Sequence, residues 1–405
     1  MTYKSLFEDY KGFLHPVVEV IVNEKSLTTL SGKTAVGVSN LRIDLTAGFE
    51  ASQAIFNVYN VYNYAEGSFD FSIIKQFVLL GAPVMIYAGY EKSVSEIFSG
   101  VVVKTNFVIE EGDVAHLEVT CMDVKSVMMA NRYSRSFTSL VYSEAITELF
   151  NQSIYKSLMD AKVIDKINVQ QTPDKMAVSS IPEIAVENEM MLDEETKKRK
   201  KKLKTDRTIE MVGESDYEFV VKVARKFNYD FFVLGGEVIF RKAKSDQSVL
   251  IDIPSRARIR RLSVEYDMTG LVEKVEVRGL NVGQNKVVNK TLKNSYKLSQ
   301  GSKAKQLISG SKFVYVDPTV STADDASNRA NYLFEEMTHR YGTLDLEMVG
   351  IPEIVPGRYI SISGVGTAVS NEFYVQSVSH IFSADGRYST RIIGKTNQQK
   401  SGGLI

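Results

Sequence analysis

The chain has 405 residues, and its 49 Lys plus Arg match 49 Asp plus Glu, so a net charge of zero excludes a global pull toward nucleic acid or an anionic membrane. Hydrophobic residues at 44% and charged residues at 24% describe an ordinary globular composition, with chain enough for two to four domains of roughly 100–200 residues. One cysteine, Cys121, excludes an internal disulfide and a thiolate metal cluster and fits folding in a reducing cytoplasm. Met1–Lys11 mixes charges of both signs without an apolar core, so no signal peptide is expected, and no apolar run approaches the ~18 residues of a bilayer span.

From His15 to Asp123 the pattern has period two. Val18, Val20 and Val22 alternate with Glu19, Ile21 and Asn23, and Ala54, Phe56 and Val58 share one strand face. Ala115, Leu117, Val119 and Cys121 face one way while Val114, His116, Glu118 and Thr120 face the other, as half-buried antiparallel strands do. Between these strands, residues 69–80 put Ile73, Ile74, Phe77 and Val78 at helical spacing, with Gly81 as the stop. Ser139–Gln152 reads as an amphipathic helix with Val141, Ala145, Ile146, Leu149 and Phe150 on one stripe. Residues 163–185 carry no clear period. Asp193-Glu194-Glu195 then precedes six consecutive basic residues, Lys197–Lys202, and Lys204.

Order resumes at Ser215, an expected N-cap with Glu218 three residues on at capping-box spacing, followed by the stripe Val220, Val221, Ala224 and Phe227. Tyr229–Leu234 and Glu237–Arg241 flank Gly235-Gly236, a pair that supplies the positive φ of a tight hairpin turn. The strand pattern returns at Ile259. A helix follows over residues 322–340, with Ser321 as its expected cap, Asp324 and Asp325 in the first turn and His339-Arg340 in the last, charges that complement the helix dipole. Strands near 342–349, 358–363, 372–382 and 387–394 follow, and 397–405 reads as a flexible tail.

Phe98, Val103 and Phe107 precede a glycine turn and a strand. Phe373, Val378 and Phe382 repeat the same offsets before the Asp385-Gly386 turn and another strand. Two readings stand: two unrelated hairpins with alternating faces, or a barrel duplicated early and late in the chain.

No catalytic, cofactor-binding or metal-ligating residue can be named, and no cofactor is expected. His15, His116, His339 and His380 fall in no metal-ligand spacing, and His116 lies on the opposite strand face from Cys121. Cys121 reads as a small buried hydrophobe. Gly364 and Gly366 are too few for a phosphate loop and no GK[ST] follows. Carboxylates are plentiful and a glycosidase pair is left open, with none singled out. The run at Lys197–Lys204 has three readings: a solvated segment whose acids and bases offset each other at i,i+4, a docking segment for an acidic partner, or a nucleic-acid contact that lacks interleaved aromatics for stacking.

Glu214-Ser215-Asp216-Tyr217-Glu218-Phe219, then Ala224 to Tyr229 and Phe231-Phe232-Val233, resembles the late control protein D family of phage tail hubs and the hub portion of VgrG spike proteins. Pro352 to Ile362, Tyr374 to His380 and Gly386 to Thr390 agree with the closing strands of that family. Two departures stand out: the charged stretch near 193–204 is extra, and no needle, OB module or wall hydrolase follows the last strands. The resemblance implies a β-rich α+β fold with two tail-tube-like antiparallel β-barrel domains and an intervening small α/β domain. The expected boundaries are an N-terminal arm at 1–14, a first barrel at 15–137, a middle domain at 138–257 with a charged insertion near 186–208, a second barrel at 258–396 and the tail at 397–405.

The implied function is the structural hub of a contractile phage tail or tail-like baseplate, and not an enzyme. The implied partners are two further copies in a homotrimer, the tail tube hexamer, a separate central spike protein, the tape measure protein and inner baseplate proteins, with no sequence-specific nucleic acid binding. Synthesis in a bacterial cytoplasm and assembly into a virion tail or tail-like particle follow. The rival readings are a tail-associated cell-wall hydrolase and a receptor- or glycan-binding baseplate protein.

The low apolar content of 190–206 cannot offset an ordering entropy of about 1–2 kcal/mol per residue, so this segment is expected to be mobile or to dock only on a partner. Brief trypsin treatment should cut there first; lysines at 197–204 that outlast cleavage sites elsewhere would sink the expectation.

Overall fold

A computed structural model describes residues 1–28, 35–75, 79–139, 141–174, 209–281, 284–293, 301–367 and 369–399. The charged run at 193–204, Phe77 and Val78 of the expected helix, and the tail from 400 lie outside these residues.

The expected N-terminal arm is a helix, α1 (Tyr3–Asp9), closed by a capping box between Thr2 and Ser5. The strands β1 (Pro16–Val22), β2 (Lys25–Ser26), β3 (Gly37–Thr46), β4 (Gln53–Tyr59), β5 (Tyr62–Asn63) and β6 (Ser68–Phe69) follow. The helix expected over 69–80 is observed only as the short α2 (Phe71–Ile74), capped by Asp70, and Phe69 belongs to a strand. Next come β7 (Pro83–Tyr90), β8 (Ser93–Val108), β9 (His116–Met122), α3 (Lys125–Met128) and β10 (Tyr133–Ser136).

The stripe expected over 139–152 forms α4 (Tyr142–Leu149), and a second helix, α5 (Ser153–Asp160), continues beyond it. β11 (Lys166–Val169) gives structure to a stretch without legible period. β12 (Glu210–Glu214), α6 (Asp216–Phe227), β13 (Tyr229–Leu234), β14 (Glu237–Lys242) and β15 (Val249–Pro254) follow. The cap reading holds here: Ser215 accepts from the Glu218 amide, Glu218 accepts from the Ser215 amide, and Asn228 ends the helix in the left-handed region. Gly235 and Gly236 both have positive φ in the hairpin.

The remaining elements are β16 (Ile259–Tyr266), β17 (Lys274–Asn281), β18 (Lys286–Lys293), α7 (Gly301–Ile308), β19 (Lys312–Val316), α8 (Ala323–Thr338), β20 (Gly342–Val349), β21 (Tyr359–Ser363), β22 (Glu372–Phe382) and β23 (Tyr388–Thr396). The cap of α8 is Thr322 rather than Ser321, because the Thr322 hydroxyl is the one that accepts the Asp325 amide. Val275 and Val277 alternate with Lys274, Glu276 and Arg278 as a strand does, and they fall on β17; its partners β18 and β19, completing the small sheet against which α8 packs through Val277, Val320, Ala326 and Ala330, were not anticipated.

Thirteen strands form one sheet, along the path β16-β20-β23-β22-β3-β4-β9-β8-β7-β1-β2, with β21 joining β22 to β15. No closed barrel forms among the described strands. Two sets within this sheet share one plan. Taken in chain order, β1, β3, β4, β7, β8 and β9 are arranged first-fourth-fifth-sixth-third-second. So are β15, β16, β20, β21, β22 and β23. Every neighbouring pair is antiparallel in both sets except at one place: β1 runs antiparallel to β7, whereas β15 runs parallel to β21. β15 thus belongs with the second set, although the sequence placed it in the middle segment.

The β8–β9 ladder shifts register between Val102 and Lys104, and the β22–β23 ladder between Val375 and Ser377. A constant displacement of 273 carries Val102 to Val375, Lys104 to Ser377 and Cys121 to Gly394. The sequence echo therefore falls on matching strands, but pairing Phe98 with Phe373 sets it two residues out of step. An even slip keeps every side chain on its face, which is why the pattern still matched.

One core runs through both sets. Ala54, Phe56 and Val58 of β4 are buried, as are Leu344, Leu346 and Met348 of β20. A second core, with Phe137, Ile146, Phe219, Phe231 and Phe240, holds the middle segment. The two sets meet where β22 pairs with β3, from Ser377 opposite Thr46 to Phe382 opposite Leu41. His380 lies in this ladder opposite Ile43, fully buried, with Tyr388 Oη 2.9 Å and Thr390 Oγ1 3.2 Å from its Nδ1.

Burial pushes the His380 imidazole down to about 4 from an ordinary 6.5. The unfolded chain therefore takes up a proton below 6.5 that the folded chain refuses until about 4. The stability this group holds is complete above 6.5 and is lost as pH falls through that window. Denaturant unfolding at pH 7 and pH 4 should show the native chain losing, through this group, on the order of 3 kcal/mol more than a His380→Gln variant. Parallel losses in the two proteins would refute the assignment.

Candidate functional site

The motif Glu214 to Phe219 joins the middle segment to the rest. Asp216, buried at the first position of α6, accepts from Tyr133 Oη at 2.7 Å and Tyr155 Oη at 2.5 Å, with Gln152 Nε2 at 3.3 Å. Burial and the neighbouring carboxylate hold the Tyr155 phenol far above its ordinary range. Tyr217 Oη donates to the Phe49 carbonyl at 3.1 Å, so the helix also reaches the β3–β4 loop. The sequence singled out Ser215 and Glu218 as a cap; the role of Asp216 needs the two tyrosines that only the fold brings near.

The same loop is fixed from below. Lys125 is fully buried and donates to the Gly48 carbonyl at 3.1 Å and the Glu50 carbonyl at 2.7 Å. Its ammonium stands 5.1 Å from the Phe231 ring centroid. Asp123, also buried, accepts from the Ser52 and Lys125 amides at 2.8 and 2.9 Å. Burial pushes Lys125 down to about 8 and raises Asp123. Neither residue carries a sequence signal, because lone charges on a strand end read as surface.

Above this loop lies a cleft of about 520 Å³ where β13, α8 and β22 converge, lined in part by Glu50, Arg225, Asp230, Lys244, Glu336 and His339. Lys244 follows β14 in the left-handed region and stands 3.8 Å from Glu335 and 3.9 Å from Glu336. Asp230 accepts from Tyr374 Oη at 3.0 Å and the Lys244 amide at 3.1 Å. Burial raises Glu335, with Lys244 opposing, and drives His339 down to about 3, so His339 is neutral at physiological pH. Chemically, the cleft offers a rim of mixed charge; Glu335, whose proton affinity burial raises, pairs with Lys244 and is not among the lining residues.

The four histidines are not brought together. His15 is exposed, His116 and His380 lie in different strands and His339 ends α8. Cys121 is buried, and burial holds its thiol far above the ordinary range. Among the described residues no group of three or more His, Cys, Asp or Glu is placed to hold a metal, and no helix is long and apolar enough to cross a membrane.

The fold is similar to that of solved tail proteins and of a secretion-system component. The 43 kDa tail protein of prophage MuSo2 from Shewanella oneidensis superposes with a TM-score of 0.62 at 9% identity, covering 94% of this chain and 98% of its own. A tail protein from Neisseria meningitidis gives 0.62 at 11%, covering 96% and 98%. A component of the E. coli type VI secretion system, described as structurally similar to the T4 bacteriophage tail proteins gp27 and gp5, gives 0.51 at 10%, covering 95% and 78%. At such identities the likeness is one of fold. No curated protein gives a significant sequence match.

A family model, the Alg8 N-terminal domain, matches residues 42–174 and 183–384. This match corrects two expectations. The motifs at 214–233 and 352–390 do not place the chain in the late control protein D family, and the expectation that it is not an enzyme is overturned, since the matched domain is glycosyltransferase-like. The first error arises because short cap, turn and strand motifs report local geometry, which unrelated families share, and the second because the lack of a legible triad, metal spacing or phosphate loop in a sequence does not exclude a site built by the fold. With more than half of its residues matched, the chain belongs to the Alg8 N-terminal domain family.

Proposed function

We propose that the chain is a structural part of a phage tail or phage tail-like particle, and that it is the central hub there, joining a hexameric tail tube to a trimeric spike. The observation that carries this reading is the strand order repeated within one chain. Three copies of a chain with two like units present six near-equivalent units to a six-fold tube and a true three-fold to the spike. The fold likeness to tail proteins supports it, as does the likeness to a type VI component described alongside gp27 and gp5.

On this reading the tube-like units are residues 15–137 and 258–396, the second extended back to include β15 at 249–254, with 138–248 between them. The partners are the tube hexamer, a separate spike protein, the tape measure protein and inner baseplate proteins, and the chain resides in the assembled particle. An image of such a particle, averaged without imposed symmetry, should find three copies between tube and spike. Six copies in that ring, or a peripheral position, would overturn the reading.

The family match favours a second reading, in which the cleft between β13, α8 and β22 handles a sugar. Its mixed rim suits hydroxyls and anionic groups, and Glu336 supplies a carboxyl to its lining for acid–base work. Purified chain should then transfer or release labelled sugar from glycan or activated donor, and Glu336→Gln should lower the rate at least tenfold. Equal rates in the two proteins would remove the cleft from consideration.

A further inference from the structure

The chain contains one junction between its two strand sets, and the repeated plan leaves the matching junction open. β3, the edge of the first set, pairs with the second part of β22, which is the fifth strand of the second set. The equivalents of these partners are β16, the edge of the second set, and the second part of β8. Among the described residues β16 pairs only with β20, and β8 pairs with β7 through Ser93–Val101 and, by Val102, with Gly81 and Ala82 just before it, so residues 103–108 keep one side unpaired. We infer that a second copy of this chain fills the gap, its β16 pairing antiparallel with residues 104–109 of the first.

The register follows from the ladders. The displacement of 273 takes Ser377–Phe382 back to Lys104–Ile109. Ala54 faces Cys121 across β4–β9, and Leu344 faces Gly394 across β20–β23, so β4 maps onto β20. Ile43 faces Ala54 and Val264 faces Leu344, so Leu41–Thr46 maps onto Leu262–Asp267. Applying the β22–β3 pairing to these segments sets Lys104 opposite Asp267, Thr105 opposite Tyr266, Asn106 opposite Glu265, Phe107 opposite Val264, Val108 opposite Ser263 and Ile109 opposite Leu262.

The side chains at these positions suit the pairing, although nothing in its derivation used them. Lys104 meets an acid. Phe107, 45% exposed, and Ile109, 62% exposed, meet Val264 and Leu262, whose inner sides already pack on the main core. In the junction the chain makes with itself, the same face is covered: Val378, His380 and Phe382 lie buried against Leu41, Ile43 and Leu45. Open edges carrying apolar side chains invite pairing with another chain, and here the pairing continues an interface already present. The contact is heterologous, so copies add head to tail until rotation closes them. The number that closes the ring rests on the hub reading; the seam itself rests on the strand order.

The test is disulfide trapping of the full chain at assembly concentration, read on non-reducing gels beside native mass. Asn106→Cys with Glu265→Cys should give linked dimers and trimers and little beyond. Either single variant, and the out-of-register pair Asn106→Cys with Arg261→Cys, should stay at monomer mass. Cys121 is buried and takes no part. Ile109→Lys, a change at a site 62% exposed, should abolish the oligomer while leaving the thermal unfolding of the monomer unchanged. A trimer by native mass without in-register links, equal linking of the out-of-register pair, or a native chain that stays monomeric would overturn the seam. In-register links that close at another copy number would keep the seam and sink the hub reading.

Discussion

The architecture depends on the six-residue ladder between β22 and β3. It turns two sets of strands, more than 300 residues apart at this contact, into one sheet with one core. A ladder of this kind specifies register strongly, because a slip of one residue would send His380, Val378 and Phe382 to the opposite face and bring Ser377, Ser379 and Ile381 inward. Burying His380 is tolerated because Tyr388 and Thr390 stand beside its Nδ1 and the ring stays neutral. Tyr388 is locked in turn. It stacks on Phe382 at 4.1 Å, and a Cβ at Gly350 would lie 2.1 Å from its ring, so that position accepts no side chain without moving Tyr388.

Much of the strand content was legible because one-sided burial writes period two into the sequence: β4, β9 and β20 alternate buried and partly exposed residues with few breaks. Caps and turns were legible where the chemistry is local, at Ser215 with Glu218 and at Gly235-Gly236. What could not be read was anything made by partners distant in sequence. Lys125 looks like a surface lysine until Gly48 and Glu50 turn their carbonyls to it. β17 shows in the alternation of Val275 and Val277, but its partners β18 and β19 hide because they are largely exposed and carry Lys and Val together, blurring the period. The echo at Phe98 and Phe373 shows the limit of pattern matching: alternation fixes the face of a strand and not its register.

The middle segment explains how two cores are kept in one relation. Tyr217 reaches the Phe49 carbonyl, Lys125 fixes the other side of the same loop, and Tyr374 of β22 donates to Asp230 of β13. Each link carries a tyrosine hydroxyl or a lysine into a partly dry site, where an unmet polar group would cost about 1–3 kcal/mol. These contacts are all-or-none, and they hold the middle segment to both strand sets. A cleft at such a meeting point has walls from three elements, which gives it shape without any one loop having to be rigid.

The N-terminal helix carries a consequence for how the chain folds. Leu6, Tyr10 and Phe13 are buried, Tyr10 hydrogen-bonds Glu353, the Met1 amine donates to the Leu250 carbonyl, and Thr2 bridges to Asp252 on the outer edge of β15. These contacts join residues some 250 apart, so they form only after β15 has been made. Closing so long a loop costs about 5 kcal/mol in chain entropy before any contact rewards it. Tyr10 and Phe13 meet Tyr90 earlier, but Leu250 and Glu353 come late, and the edge of β15, once made, stays open until the helix docks. Completion of this sheet is a late, non-local and slow event, and the nascent chain is most exposed to misassociation just before it occurs.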